Sequence, residues 1–259
     1  MVKVIIIPDV HGRTFWKDVV EKYSDSKYDK VPIVFLGDYL DPYDQEDIRF
    51  KDAFTNFKEI VEFKRNNPDR VILLLGNHDL HYINTSSNCR SSRYDRMHSS
   101  EIRKIFMDNL DVFQLMWKVD IDSITYVFSH AGITLEWLQD YNYIFNVDCT
   151  NIIKAISTLK INDMFHNDET IENVLNALSA ISYYRGGWAK NGSMVWEDLT
   201  TFLKKPKEEN FIQIFGHTQL RDTPVNIENS YYDLDVRRGF IINDKNVCEL
   251  NGDIIANTL

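Results

Sequence analysis

The chain has 259 residues and a formal charge of −10, and 44% of its residues are hydrophobic. That composition supports a large core and argues against general disorder. A surface with this charge repels nucleic acids and anionic membranes at long range, so we expect neither long nucleic acid nor a membrane as a partner. A phosphate-bearing ligand would need positive charge concentrated at its own site.

The cysteines are odd in number and form no closely spaced pair: Cys89, Cys149 and Cys248. They predict reduced thiols in a cytoplasmic protein, without a disulfide framework or a thiolate metal site. The first residues, "MVKVIIIPDVHG", contain an apolar run that is too short for a signal sequence or a membrane span. We interpret this run as the first core strand.

Five apolar runs each end in Gly or Pro, or directly in a polar residue, with metal-binding side chains at the end. These side chains are, in order, Asp9 and His11, Asp38 and Asp41, Asn77, His78 and Asp79, His130, and His217. Continuous apolar runs are typical of strands buried on both faces, and the carboxyl ends of such strands form a ligand crevice. A single polar residue at the end of a strand usually marks only a turn. Five of them predict a pair of divalent metal ions such as Mn²⁺, Fe or Zn²⁺, because the set holds oxygen and imidazole ligands without thiolates.

The segments between these runs predict the outer layers of the fold. Residues 46–65 have apolar side chains at helical spacing among charged ones. Residues 150–182 also predict helices, which we expect to form a cap over the site within a single domain of residues 1–259. The final residues predict antiparallel strands with turns at Asn243-Asp244 and at residues 251–253.

Taken in order, the polar strand ends form the series D-x-H, G-D-x-x-D, G-N-H-D/E, H and G-H. This series resembles that of the calcineurin-like metallophosphoesterases over most of the chain. The stretches "DVHG", "GDYLD", "HAGI" and "GHT" are most similar to the branch that holds serine/threonine phosphoprotein phosphatases and symmetrical diadenosine tetraphosphate hydrolases. The resemblance implies an α/β fold, namely a four-layer α/β/β/α sandwich with two mixed sheets and a dinuclear metal site at the strand ends.

The resemblance also implies a role for each residue. Asp9 and His11 would hold the first metal, and Asp38 would bridge both metals. The second metal would be held by Asn77, His130 and His217. In the family the position of His78 is a general acid, oriented by the carboxylate at the position of Asp41. On spacing alone His78 could equally be a ligand beside Asn77.

Two departures from the family pattern concern phosphate and metal binding. The phosphatases usually continue G-D-x-x-D with Arg-Gly, whereas this chain has Pro42 and Tyr43. We expect Arg185, in "YYRGGW", to bind phosphate through its bidentate guanidinium; a structural salt bridge is the alternative. Gln219 stands where many phosphodiesterases have a further histidine ligand. A basic cluster after the third motif predicts either a rim for the substrate or a solvated helix face: Arg90, Arg93, Arg96 and Arg103.

The leading functional prediction is a metal-dependent phosphohydrolase in which a metal-bridging hydroxide attacks phosphorus, most similar to phosphomonoesterases and protein phosphatases. One alternative is a phosphodiesterase or dinucleoside polyphosphate hydrolase. An alternative of another class is a scaffold that kept the fold and lost catalysis. The sequence leaves the substrate open among phosphoproteins, nucleotides and small phosphate esters.

Overall fold

Eleven strands and ten α-helices make up the part of the chain that the structure, a computed structural model, describes: residues 1–84, 90–91 and 93–258. The strands are β1 Val2–Ile7, β2 Ile33–Phe35, β3 Val71–Leu74, β4 Phe113–Gln114, β5 Met116–Ile121, β6 Ile124–Ser129, β7 Phe211–Phe215, β8 Val225–Ile227, β9 Tyr231–Asp233, β10 Phe240–Asn243 and β11 Asn246–Glu249. The helices are α1 Phe15–Lys22, α2 Phe50–Asn66, α3 Asn77–Ile83, α4 Ser99–Asp108, α5 Leu135–Asp140, α6 Asn142–Phe145, α7 Ile152–Thr158, α8 Ile161–Phe165, α9 Ile171–Leu178 and α10 Leu199–Phe202.

The strands form two mixed sheets. The first has the order β11-β10-β1-β2-β3-β4, and the second has the order β5-β6-β7-β9-β8. Strands β1 to β4 are parallel to one another, and β10 is antiparallel to β1. In the second sheet β6, β7 and β9 are parallel, with antiparallel strands at both edges. The carboxyl ends of the parallel strands therefore lie together in each sheet.

The continuous apolar runs serve two different cores. In β1, Val4 and Ile6 belong to a cluster that also contains Phe128 of the second sheet, so this cluster lies between the sheets. The alternate residues of the same strand belong to a second cluster, which includes Phe57 of α2. Because successive side chains of a strand point to opposite faces, a strand covered on both sides needs an unbroken apolar run. This arrangement confirms the predicted α/β/β/α sandwich.

Helix α2 begins at Phe50 and not at residue 46 as the apolar spacing predicted. Asp47 has a left-handed backbone with a φ of 51°, which no continuous α-helix can contain. Glu46, which the prediction placed inside the helix, instead pairs with Arg13 at 2.9 Å. The helix buries Phe54 and Phe57 against the first sheet, and each such side chain contributes about 1.5–3 kcal/mol.

The later segments contain the predicted element types. Residues 150–182 hold α7, α8 and α9, whose apolar sides are buried in the main core. The description of these helices as a cap stays a prediction. Strands β10 and β11 form an antiparallel hairpin around the predicted Asn243-Asp244 turn.

Two further sequence-based expectations concern thiols and membranes. Cys149 and Cys248 are free thiols, whereas Cys89 lies outside the described residues. In the described part of the chain, no helix combines the length and the apolar character that a bilayer-spanning segment requires.

Candidate metal centre

Five strands of the two sheets end at one place, and each end carries a side chain of the predicted site. Asp9 and His11 follow β1, Asp38 follows β2, and Asn77 opens α3 directly after β3. His130 and His217 follow β6 and β7 of the second sheet. The distances between these side chains show that the two sheets contribute to a single cluster.

The carboxylate of Asp38 lies between two histidines. Its Oδ2 atom is 3.4 Å from Nε2 of His11, and its Oδ1 atom is 3.5 Å from Nε2 of His130. Both histidines donate their Nδ1–H to backbone carbonyls, those of Leu40 at 3.0 Å and Leu36 at 2.9 Å. A neutral ring bound in this way carries its lone pair on Nε2. Each oxygen of Asp38 therefore faces the Nε2 atom of a different imidazole.

A second group of ligand atoms surrounds His130. Its Nε2 is 3.0 Å from Oδ1 of Asn77 and 3.1 Å from Nδ1 of His217. Ligand atoms of Asp9, Asp38 and His130 also lie within 4.8 Å of one another. So many lone pairs pointing at one another are unfavourable unless cations lie between them.

Burial sets the protonation of these groups. Burial lowers the pKa of His11 to about 3, and it lowers the pKa of His217 well below the ordinary value, with the nearby Arg185 charge adding to the shift. Both imidazoles are therefore neutral, which is the form that binds metals. Burial raises the pKa of Asp9 to about 6, and the negative charge of Asp38 acts in the same direction, although His130 opposes it. A carboxylate destabilised in this way gains from a nearby cation.

Two glycines let the backbone approach the ligands. A Cβ at Gly76 would lie 2.1 Å from Oδ1 of Asp38, and one at Gly216 would lie 2.6 Å from the carboxylate of Asp9. Both contacts are far below van der Waals distance, so no other residue fits at these positions without displacing a ligand. Together with the facing lone pairs, this cradle fits a pair of divalent metal ions held by the predicted ligands.

The loops that carry the ligands are held by Asp79, which the sequence analysis counted among the metal-binding side chains at the strand ends but to which the family resemblance gave no role. Asp79 accepts hydrogen bonds from the backbone N–H groups of Asp38 at 2.7 Å, Tyr39 at 3.0 Å and Gly76 at 2.8 Å. It thereby ties the end of β2 to the end of β3. The loops also contain left-handed backbone at four of the predicted site residues, with φ values between 44° and 71°: His11, Asp38, Asp41 and His217. Each such residue costs about 1–2 kcal/mol.

Beside the ligand cluster, His78 and Asp41 form a hydrogen-bonded pair. Nδ1 of His78 donates to Oδ2 of Asp41 at 2.8 Å, and the hydroxyl of Tyr82 donates to Oδ1 at 2.5 Å. Nε2 of His81 lies 2.9 Å from the same carboxylate. Burial raises the pKa of Asp41, but His78 and His81 outweigh it and bring the pKa to about 2. Asp41 is therefore ionised at neutral pH. Asp41, His78 and His81 are also close enough to hold an ion, so this geometry is compatible with both readings of His78.

A cavity of about 410 Å³ opens above the cluster, and arginines line it. Arg185 reaches it from a turn between α9 and α10, where its Nη2 donates to the carbonyl of His217 at 2.9 Å. Its Nη1 lies 3.4 Å from Asp198, so the ion pair named as the alternative is present but long.

The four arginines of the predicted basic cluster lie in three different environments. Arg90 and Arg93 line the cavity, Arg96 is exposed, and Arg103 donates to the backbone carbonyls at the end of α3. Arg90 and Arg93 thus lie where a substrate rim would need them, and that role stays a prediction; Arg96 has the solvent exposure expected of the alternative.

Comparison with known families gives a match over residues 2–221 to the model described as calcineurin-like phosphoesterase. The chain belongs to the calcineurin-like phosphoesterase family. The resemblance based on the strand-end motifs is thereby confirmed, and with it the prediction of a metal-dependent phosphoesterase. No curated protein gave a significant sequence match.

Solved structures agree with this fold. The crystal structure of a cold-active protein-tyrosine phosphatase of a psychrophilic Shewanella species superposes with a TM-score of 0.57 at 15% identity, covering 95% of this chain and 77% of that one. A second structure titled cold-active protein tyrosine phosphatase gives a TM-score of 0.59 at 17% identity, with coverage of 95% and 75%. At such low identity these likenesses concern the fold alone.

Other residues occupy places that the motifs did not show. Gln219, which stands where many phosphodiesterases have a ligand, is exposed. Tyr231 and Tyr232 are buried, and their hydroxyls donate to the carbonyl of Pro206 and to Oδ1 of Asn229. The supporting contacts of Asp79, Tyr82 and Arg93 escaped the sequence analysis because each depends on a fold contact with a distant residue.

Proposed function

We propose that this calcineurin-like phosphoesterase is a phosphomonoesterase of the protein-phosphatase type, with a dinuclear centre. The observation that carries the proposal is the position of Asp38, whose two oxygens each face the Nε2 atom of a different histidine. A carboxylate in this position is suited to bridge two cations. Asp9 and His11 would complete the first site.

The second site would be formed by Asn77, His130 and His217. We expect Mn²⁺ in both sites, since carboxylate, amide and imidazole ligands without thiolates favour hard or borderline ions. When bound, the ions supply Lewis-acid activation of the phosphoryl group and of the attacking water. The hydrogen bonds from Nδ1 of His11 and His130 to backbone carbonyls fix the orientation of both rings before any ion binds.

The protein side chains around the cavity would handle charge and protons. Arg185 lines the cavity and has further N–H groups to offer to phosphoryl oxygens. His78 faces the cavity with Nε2, while its Nδ1–H is held by the ionised carboxylate of Asp41. A proton taken up at Nε2 in the substrate complex would then be given to the leaving oxygen. The Tyr82 hydroxyl and His81 keep Asp41 in place for this role.

Two other functions remain as outcomes of the test. A phosphodiesterase or dinucleoside polyphosphate hydrolase would use the same centre, but the exposed Gln219 leaves that position without the ligand found in many diesterases. A scaffold without activity would have no use for a buried ligand cluster in which, among the described residues, Nε2 of His217 has no hydrogen-bond partner. A cytoplasmic location is part of the proposal and rests on the expected reduced thiols.

The decisive experiment is a hydrolysis screen of the purified protein supplied with Mn²⁺. p-Nitrophenyl phosphate and bis-p-nitrophenyl phosphate separate mono- from diesterase activity, and phosphopeptides, nucleotides and dinucleoside polyphosphates follow. We expect phosphomonoesters to be cleaved with the higher kcat/KM. Preference for the diester would overturn the proposal in favour of a phosphodiesterase, and a protein that takes up no metal and cleaves nothing would be a scaffold.

A further inference from the structure

We propose that Arg93, stacked on the ring of Tyr43, binds the phosphate of the substrate from the His78 side of the cavity. This inference rests on the function proposed above. It concerns a segment between α3 and α4 that carries none of the strand-end motifs.

Three contacts hold the guanidinium of Arg93 in place. Its Cζ lies 3.6 Å from the centroid of the Tyr43 ring, which is close enough for a strong cation–π contact. Its Nη1 donates to the backbone carbonyl of Asp41 at 2.6 Å, and its Nη2 donates to Nε2 of His78 at 3.2 Å. The group is therefore fixed at the edge of the cavity before a ligand arrives.

Among the described residues, the charge of Arg93 has no acidic partner. Within that part of the chain no carboxylate oxygen lies within 4.0 Å of its guanidinium, and two of its N–H groups account for its hydrogen bonds to protein. The other arginines near the Tyr43 ring are different, since Arg13 and Arg237 both pair with Glu46, at 2.9 and 3.3 Å. A partly buried guanidinium that lacks a carboxylate and faces a cavity is suited to an anion with several oxygens.

The position of Arg93 complements that of Arg185. Arg185 is held by the carbonyl of His217, on the side of the cavity that the second sheet forms, and Arg93 is held by residues of the first sheet's loops. A tetrahedral phosphate above the ligand cluster would thus meet a guanidinium from each side. Tyr43 also packs edge-on against His11, at 5.0 Å between ring centroids, so the platform for Arg93 rests on a ligand of the cluster.

Phosphate binding by Arg93 also has a consequence for His78. In the free protein, Nη2 of Arg93 occupies the lone pair of His78 Nε2. A phosphate oxygen that accepts from Nη2 would release this nitrogen toward the leaving group. Substrate binding and the accessibility of His78 Nε2 to the leaving group are therefore coupled through one hydrogen bond.

The test measures binding of inorganic phosphate to the Mn²⁺-loaded protein by isothermal titration calorimetry, with metal content determined on the same samples. Arg93→Ala is expected to raise the phosphate Kd at least about tenfold, as loss of a charge-assisted hydrogen bond implies. Arg96→Ala is the matched control, because Arg96 lies three residues away and is exposed; its Kd should equal that of the wild type.

A second pair of variants tests the platform. Tyr43→Phe keeps the ring and should keep the phosphate Kd within about twofold, whereas Tyr43→Ala should weaken binding about threefold or more. If Arg93→Ala loses metal, Arg93→Lys is tested in its place. Lysine keeps the charge but lacks the bidentate geometry of the guanidinium, so this variant is expected to bind phosphate more weakly than the wild type.

The outcomes separate this inference from the proposed function. A fully metallated Arg93→Ala protein with unchanged phosphate affinity, or a metallated wild type that binds no phosphate, would overturn the role of Arg93. If the wild type binds phosphate through Arg93 but cleaves no phosphate ester, the site stands and the phosphatase function is rejected. If the wild type cleaves esters and the phosphate Kd of Arg93→Ala equals that of the wild type, the phosphatase function stands and the role of Arg93 is rejected.

Discussion

The floor and the rim of the cavity are built in different ways. The floor consists of the six predicted metal ligands, each placed just past the end of a buried parallel strand, and all are nearly inaccessible to solvent. The rim includes Arg90, Arg93 and Arg185, which come from the connections between elements; Arg93 and Arg185 are partly buried and Arg90 is exposed. The sheets fix the floor, whereas the rim depends on side-chain contacts such as that between Arg93 and Tyr43. We therefore expect the floor to set whether chemistry occurs and the rim to set which phosphate compound is used.

The largest effect is expected from damage to the floor at Asp38. Asp38→Asn keeps the shape and removes the charge between the two histidines, so we expect reduced metal content and a loss of kcat of about a thousandfold or more. Metal analysis and p-nitrophenyl phosphate turnover measure this. Asp44→Asn, an exposed acid in the same stretch, is the control. Two metals and most of the activity in Asp38→Asn would disprove the bridging assignment.

His78 lies between floor and rim. The loss of kcat caused by its replacement is expected to depend on the leaving group of the substrate. His78→Asn should keep both metals and lose roughly a hundredfold or more in kcat on a phosphoserine peptide, because an alkoxide needs a proton to leave. p-Nitrophenolate leaves without one, so p-nitrophenyl phosphate should show a much smaller loss. Asp41→Asn should also lose more kcat on the phosphoserine peptide than on p-nitrophenyl phosphate, but both losses should be smaller than in His78→Asn. Equal losses on both substrates together with a missing metal would make His78 a ligand.

A change at the rim is expected to leave the floor intact. Arg185→Ala should lower kcat/KM by roughly thirty- to a thousandfold, equivalent to about 2–4 kcal/mol for one electrostatic donor, with unchanged metal content. Arg221→Ala, whose side chain is almost fully exposed, is the matched control. An effect of less than tenfold would return Arg185 to a structural role beside Asp198.

The smallest effect concerns protons at the floor. Because the pKa of Asp9 is raised to about 6, mainly by burial, the metal-free protein carries a proton there below that pH, and an incoming ion must displace it. Metal affinity should therefore fall about tenfold for each pH unit below about 6. His11 and His217 add nothing in this range, since the pKa of His11 is near 3 and that of His217 is also depressed.

Calorimetric metal titrations in two buffers of different ionisation enthalpy detect this proton. We expect release of about one proton per protein at about pH 5 and none from Asp9 at about pH 7.5. Proton release that instead follows the ordinary pKa of histidine would show that the imidazoles, and not Asp9, compete with the metal.

The difference between floor and rim also decided what the sequence could predict. The layered fold followed from unbroken apolar runs, because a strand covered on both faces needs them. The floor followed from polar residues at the ends of those runs. The bonds of Asp79 to Asp38 and of Arg93 to Asp41 could not be predicted, since they join residues about 40 to 50 positions apart through folded geometry. The start of α2 was misplaced because a single left-handed residue, Asp47, interrupts a helical pattern without changing its hydrophobicity.

The left-handed backbone at His11, Asp38, Asp41 and His217 limits how this centre could be moved to another protein. A designer who copied the same side chains onto regular strands or helices would aim them in the wrong directions. The recipient would need loops that adopt these uncommon conformations and a buried brace equivalent to Asp79 to hold them. What would have to be transplanted is a set of backbone loops, and the motif letters alone would not reproduce it.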